Sequence, residues 1–329
     1  METALIIGGT RFIGRHTVTE LLEHGYDVTI FNRGNHANPF ADEDRVDHIE
    51  GDRTNEGALE LAATRVEPDV VIDCVAYKPQ EVRAATTIFA DADAYVYVSS
   101  GDAYAAEEIP KREGETPLRP CSRDQATDES GATYGNRKAE GDRAVFAAAD
   151  DGVRAMSVRP CIVYGPYDYT ERLDYWLHRV ATQDRIVVPG DGTNIWHRAY
   201  VEDVASALRT VAESGTAGEA YNVGDRRLVT LAEMVDVIAE ALETEIEVVT
   251  ASARELAAAD LAATDFPLYR EYPHVLETSK LASLGWTSTA VSEAMARTAT
   301  EHRQSSRDGQ DQGPEREATA RVLDILETI

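Results

Sequence analysis

Through its first half the chain alternates short β-rich apolar runs with stretches whose apolar positions recur every three or four residues. The strand-like runs are Ala4 to Ile7, Val28 to Phe31, Val70 to Cys74, Tyr95 to Val98 and Ala155 to Val158. The amphipathic stretches are Phe12 to His24, Gly57 to Val66, Gln80 to Ala90 and Ala139 to Ala149. Strands and helices taking turns in this way predict an α/β fold, a doubly wound parallel sheet with helices on both faces.

From about Gly165 onward the alternation gives way to separate helices and short strands, with a turn-rich PGDG at Pro189 to Gly192 and a helical Leu231 to Leu242. The expected domains are therefore 1–165 for the sheet, completed by later segments, and 166–303 for a smaller α/β C-terminal unit. Gln304 to Pro314, reading QSSRDGQDQGP, has no apolar residue and is expected to be a flexible linker, 304–314. A C-terminal helix over 315–329 follows, with Val322, Leu323, Ile325 and Leu326 as its apolar stripe. It has two candidate docking partners, the body of the chain or a second subunit.

Composition narrows the class. No run approaches the roughly 20 apolar residues of a membrane helix, and Met1 leads into an apolar strand without a charged leader, so a cytoplasmic protein is expected. Cys74, Cys121 and Cys161 stand far apart without metal-ligand spacing, and no metal site or disulfide framework is expected. Charge alters the picture further, because 59 Asp+Glu against 32 Lys+Arg leaves a net −27. Lysine is nearly absent, with Lys78, Lys111, Lys138 and Lys280 standing beside 28 arginines. Such an excess repels itself over a Debye length of about 10 Å at 0.1 M salt but is screened within about 3 Å at 1 M. The composition is the one expected of a halophile's protein. The same charge opposes a phosphate backbone, and no nucleic-acid partner is expected.

A glycine-rich turn, Leu5-Ile-Ile-Gly-Gly-Thr-Arg-Phe-Ile-Gly14, follows the first strand directly and opens the first helix. Gly8 and Gly9 let the backbone approach a pyrophosphate, Gly14 lets helix and sheet pack closely, and Thr10, Arg11, Phe12 and Ile13 bring free amides to the helix N-terminus. This is the dinucleotide-binding Rossmann arrangement; a plain strand-turn-helix is the alternative. At the end of the second strand an NAD-specific site carries an acid for the ribose 2′-hydroxyl, whereas here stand Asn32 and Arg33. With Arg11, two guanidinium forks are available for a 2′-phosphate, so NADP(H) is expected in preference to NAD(H). Otherwise Arg33 is a solvated loop charge.

Tyr134-Gly-Asn-Arg-Lys138 sets a phenol and an ammonium four residues apart, on one face of a helix. A tyrosine with a pKa near 10 is a poor base at neutral pH, and an adjacent cation brings it towards the working range. The strand ending at Val98 runs into Ser99-Ser100-Gly-Asp102, at the edge where doubly wound sheets bind ligands. Ser100 there would share a substrate oxygen with Tyr134, unless Ser99 is the exposed one, and Asp102 is a further substrate candidate. The polar stretch 105–133 is read either as a lid or as a solvated insertion. Tyr167, Tyr169, Tyr175 and Trp176 are read either as a pocket wall or as core.

Taken in order, GGTRFIG, GDR at Gly51 to Arg53, SSGDAY, YGNRK and VRPCIVYGP at Val158 to Pro166 resemble the extended short-chain dehydrogenases/reductases of the NAD-dependent epimerase/dehydratase family. The likeness continues through PGDG, YVEDVA at Tyr200 to Ala205, YNVGD at Tyr221 to Asp225 and TSKLASLGW at Thr278 to Trp286. The resemblance implies a Rossmann domain that binds NADP or NAD and a smaller domain for a small-molecule substrate, typically a nucleotide sugar. It implies Tyr134 as general acid/base, Lys138 on the nicotinamide ribose and Ser100 on the reacting oxygen. It also implies Asp52 at the adenine edge, Val75, Ala76 and Tyr77 along the cofactor, and a homodimer through helices flanking the sheet. The reaction implied is hydride transfer at a hydroxyl or carbonyl carbon, as in an oxidoreductase or an isomerase.

The chain departs from the family pattern in three places. Arg11 replaces the usual middle glycine, which resembles the atypical branch containing chloroplast stem-loop RNA-binding proteins. Gly101 and Asp102 stand where 4,6-dehydratases carry an Asp-Glu pair. The register that often holds a diphosphate-binding Arg falls on Trp196, with Arg198 two places later as a candidate ligand. The competing expectation is a non-catalytic member that holds a dinucleotide or binds RNA.

Overall fold

Six strands carry the first half of the chain: β1 (Thr3–Ile7), β2 (Asp27–Asn32), β3 (Val46–Glu50), β4 (Val70–Asp73), β5 (Ala94–Val98) and β6 (Ala155–Pro160). Every residue of β4, β5 and β6 is buried, as in a sheet covered on both faces. The covering comes from α1 (Phe12–Glu23), α2 (Glu56–Val66), α3 (Pro79–Ile88) and α5 (Tyr134–Asp150), while the short α4 (Arg123–Thr127) lies in the connection before α5. The computed structural model describes residues 2–328.

A seventh strand, Ala220–Val223, joins beside β6, and all pairings in the sheet are parallel. The order is Ala220–Val223, β6, β5, β4, β1, β2, β3. The direction of winding reverses between β1 and β4, which places the ligand crevice of a doubly wound sheet at the carboxyl ends of those strands. The sequence reading omitted β3, because VDHIE is an edge strand of half-exposed and exposed residues without an apolar run. The helix expected to carry Tyr134 and Lys138 on one face does begin at Tyr134 and runs to Asp150, taking in the amphipathic stretch from Ala139.

Two compact units divide the chain. The sheet's unit comprises the residues up to Val163 with Val201–Gly224 and Leu276–Thr287; the other comprises Tyr164–Tyr200, Asp225–Val275 and the residues from Ser288. Two stretches inside 166–303 thus fall with the sheet, where later segments were expected to complete it. The first carries a helix, Val201–Ser214, whose Arg209 pairs with Glu20 of α1 at 2.8 Å. The second is held to that helix by Trp286, whose Nε1 donates to the Asp203 carbonyl at 3.0 Å.

Within the second unit, Arg185–Pro189 and Glu247–Ala251 pair as parallel strands. Trp176, on the helix Arg172–Thr182, is fully buried, donates to the Pro267 carbonyl at 2.9 Å and meets the Tyr175 ring edge-on at 5.3 Å. Tyr175 and Trp176 are therefore core, whereas Tyr167 and Tyr169 are exposed.

The flexible-linker expectation for 304–314 is corrected as well. Arg307 reaches Asp174 at 3.2 Å and pairs with Glu301, the Gly309 amide donates to Glu171 at 3.2 Å, and the Pro314 carbonyl accepts from Arg179. Charges and backbone groups hold the segment, so an apolar pattern gave no sign of it. The helix Arg316–Glu327 then buries Val322 within the same unit.

Gly309 sits at φ +61, and a Cβ there would lie 2.2 Å from the Tyr175 amide nitrogen. Gly309→Ala is expected to cost about 1–3 kcal/mol and to expose 304–314 to proteases under native conditions. An unchanged cleavage rate would mean that the segment is not seated.

Candidate functional site

The turn after β1 closes on itself so tightly that side chains are excluded. Gly8, at φ +96, donates its amide to the Phe31 carbonyl at 3.0 Å, and a Cβ on Gly14 would lie 2.0 Å from the Gly8 carbonyl oxygen. A Cβ on Gly9 would meet Ile30 at 2.9 Å. Asn32, at the end of β2, ties the turn in place by donating to Thr10 Oγ1 at 3.3 Å while its own oxygen accepts from the Gly34 amide at 2.8 Å. Arg11 precedes α1 without capping it, so no side chain from that position takes up the amides of the first turn around Phe12 and Ile13. A helix N-terminus behind a glycine cradle fits the pyrophosphate of a dinucleotide.

Around that cradle stand the polar groups expected at the adenosine end. Arg11 Nη1 lies 3.4 Å from His36 Nε2, and Arg33 is exposed on the loop that follows β2. The exposed Asp52 accepts from the Thr54 amide at 2.9 Å and hydroxyl at 2.7 Å, and these bonds hold its carboxyl below the usual range. Val75, Ala76 and Tyr77 follow β4; Ala76 is buried and Tyr77 is 45% exposed.

The helix face predicted from YGNRK is present. Lys138, 2% exposed, donates from Nζ to the Ala76 carbonyl at 2.9 Å and the Val98 carbonyl at 2.8 Å. The same ammonium lies 5.7 Å from the Tyr134 ring, 5.2 Å from Tyr77 and 4.8 Å from Tyr97. Burial pushes its pKa down to about 8, against the opposing pull of the Asp73 and Asp142 carboxylates. Ser100, rather than the buried Ser99, is the partly exposed member of the pair, and its Oγ accepts from the Asp102 amide at 3.1 Å. A Cβ on Gly135 would lie 2.3 Å from the Asp102 carbonyl oxygen. Glycine at 135 therefore lets the first turn of α5, with Tyr134, press against the segment that carries Ser100.

The 105–133 stretch is fastened at several points. Ala105 and Arg119 form backbone bonds with Pro117 and Ala103 at 2.8 Å each, and the buried Arg137 of α5 holds the Asp128 and Ser130 carbonyls. Tyr167 and Arg198 lie in the second unit. Tyr167 stands at φ +65 and is partly exposed, whereas Arg198 is buried and donates to the Val229 carbonyl at 2.7 Å. The sequence reading missed a buried group beneath the site, in which Arg53 pairs with Asp73. A charged residue inside a strand-end VVID and an arginine in GDR were its only signals.

Fold and site together define a dinucleotide-binding protein of the extended Rossmann kind. The chain belongs to the NAD dependent epimerase/dehydratase family, whose model matches residues 4–224. It is an enzyme of the oxidoreductase/epimerase kind. Among curated relatives it is 28% identical over 72% of its length to the chloroplast stem-loop binding protein of 41 kDa b of Arabidopsis thaliana, of which it spans 62%. It is 26% identical to the low-salt glycan biosynthesis protein Agl12 of Haloferax volcanii, over 86% of this chain and 92% of that one. A dTDP-glucose 4,6-dehydratase of Xanthomonas campestris is 28% identical, with coverage of 87% and 88%. The fold matches the NAD complex of dTDP-glucose 4,6-dehydratase from Bacillus anthracis with a TM-score of 0.73 at 20% identity, covering 95% of this chain and 100% of that one.

Gly14→Ala is expected to weaken nicotinamide dinucleotide binding by roughly tenfold or more, since its methyl group has to displace the Gly8 carbonyl. A fluorescence titration of the folded variant checks this, and parental affinity would place the dinucleotide elsewhere.

Proposed function

We propose that the protein uses NADP(H) to carry out hydride transfer at a hydroxyl or carbonyl carbon of a sugar-like substrate, nucleotide sugars foremost. The observation that carries this reading is the Lys138 ammonium, buried beside Tyr134 at the carboxyl edge of the sheet. When bound, the nicotinamide supplies or takes up the hydride. Tyr134 gives or receives the proton of the substrate oxygen, Lys138 favours its phenolate, and Ser100 hydrogen-bonds the same oxygen. Gly8, Gly9, Gly14 and the first turn of α1 would hold the pyrophosphate, with Asp52 at the adenine edge and Arg11 and Arg33 on a 2′-phosphate. The dehydratases and sugar-linked proteins among the relatives support a nucleotide sugar as substrate. The stem-loop binding relative favours a second reading, RNA binding, against which the net charge of −27 and the Tyr134–Lys138 pair both weigh. The acidic composition supports work at high salt, so assays belong in molar KCl.

Arg33→Ala is expected to weaken NADPH binding much more than NADH binding in paired fluorescence titrations. Equal losses would remove the 2′-phosphate assignment. Tyr134→Phe should bind the dinucleotide normally and lose most turnover, by roughly 100-fold or more; full turnover in that variant would end the acid/base assignment.

A further inference from the structure

The segment that runs from the end of β4 to the start of α3, residues 73–78, has its backbone held by two acids. Asp73 Oδ1 accepts from the Val75 amide at 3.2 Å. Glu81 Oε2 reaches back from the first turn of α3 to accept from the Tyr77 amide at 2.7 Å and the Lys78 amide at 3.0 Å. On the carbonyl side, Ala76 accepts from Lys138 and Tyr77 accepts from Arg137 Nε at 3.1 Å. Both acids face one guanidinium, since Arg53 Nη2 pairs with Asp73 Oδ2 and Arg53 Nη1 lies 4.0 Å from Glu81 Oε2. Tyr95, from the neighbouring strand, donates its hydroxyl to Asp73 Oδ2 at 3.1 Å.

Stability alone is a poor reason for this arrangement. Arg53 is 9% exposed and Asp73 is fully buried, and the Arg53 Nε and Nη1 donors have no hydrogen-bond partner. A buried pair with unspent donors repays its desolvation badly, and an apolar side chain of similar volume is often as good or better. What the guanidinium does supply is a fixed relation between two carboxylates that each fasten one part of the same segment.

We propose that Arg53 is a positioning residue: through Asp73 and Glu81 it fixes the 73–78 segment, and with it the Ala76 carbonyl that carries the Lys138 ammonium and the Tyr77 ring beside it. The inference rests on the proposed role of Lys138, and it adds a buried charge relay of position beneath the cofactor-lining loop. Arg53 itself touches no reacting atom.

Amide hydrogen exchange on the full-length, dinucleotide-free protein in molar KCl tests it. In Arg53→Met the amides of Val75, Tyr77 and Lys78 should exchange roughly tenfold faster or more, while those of β1 and of the middle of α5 keep parental protection. Dinucleotide affinity should weaken in parallel. Glu81→Gln keeps an oxygen acceptor but drops the charge facing Arg53, and it should loosen Tyr77 and Lys78 to a smaller extent; it decides the matter if Arg53→Met fails to fold. Parental exchange at the three amides, or equal acceleration throughout the molecule, would overturn the proposal. The role of Lys138 is read separately. With four lysines in the chain, side-chain NMR of labelled lysine gives four resonances, each assignable by substitution. A Lys138 that titrates below the working pH would leave no ammonium beside Tyr134 and undo the Lys138 reading, whereas the exchange result speaks only to the clamp.

Discussion

A single buried ammonium organises the carboxyl edge of the sheet. Removing a lysine from water is costly unless its three donors and its charge are met on the spot. Lys138 meets that demand with the carbonyls of Ala76 and Val98 and the faces of three tyrosine rings. The Val98 carbonyl ends β5 and the Ala76 carbonyl follows the adjacent β4, so the ammonium fastens both strand ends to the first turns of α5. Displacing any one of the three elements strands a charge in the interior. The loop after β4, the serine pair after β5 and the tyrosine at the start of α5 consequently share one geometric reference.

Two of the other three lysines also use a backbone carbonyl. Lys111 is buried and donates to the Glu108 carbonyl at 3.2 Å, and Lys280 donates to the Ala220 carbonyl at 2.8 Å. A compact ammonium with three rotatable donors serves a carbonyl and a carboxylate together, and Lys111 also pairs with Glu107 at 3.3 Å. Arg159, by contrast, is buried against the Asp142 carboxylate at 2.8 Å and the Tyr104 hydroxyl at 2.9 Å, where its fork serves two acceptors set apart. Lys78 pairs instead with the Glu129 carboxylate, and other converging backbone oxygens are held by Arg154 and Arg137.

What the sequence disclosed follows from which physical demands leave a local trace. The Gly8-to-Gly14 turn was legible because the backbone there tolerates no Cβ, and the Tyr134–Lys138 face was legible because helical spacing alone brings those residues together. Short, largely apolar β-rich runs betrayed the doubly buried strands β4, β5 and β6. Polar solutions were not legible: β3 pairs at an edge without an apolar run, and 304–314 is held by Asp174, Arg179, Glu171 and Glu301 rather than by side-chain packing. The Arg53–Asp73–Glu81 group was hidden for a different reason. Its members are separated by 20 and 8 residues and become one feature only when β4 and α3 are placed.

The division of the chain between two units bears on how it is made. The path leaves the sheet's unit after Val163, returns at Val201, leaves after Gly224, returns at Leu276 and leaves again after Thr287. The strand Ala220–Val223 and the helix that lies against α1 thus emerge from the ribosome well after the glycine turn. During synthesis the first six strands have to wait, with one edge of the sheet and one flank of α1 uncovered, until more than fifty further residues have been added beyond β6. Vectorial, unit-by-unit folding, the usual course for multidomain chains, is closed to this one. Its nascent form is an interval of exposed apolar surface, in which a dense negative charge also keeps unfinished chains apart.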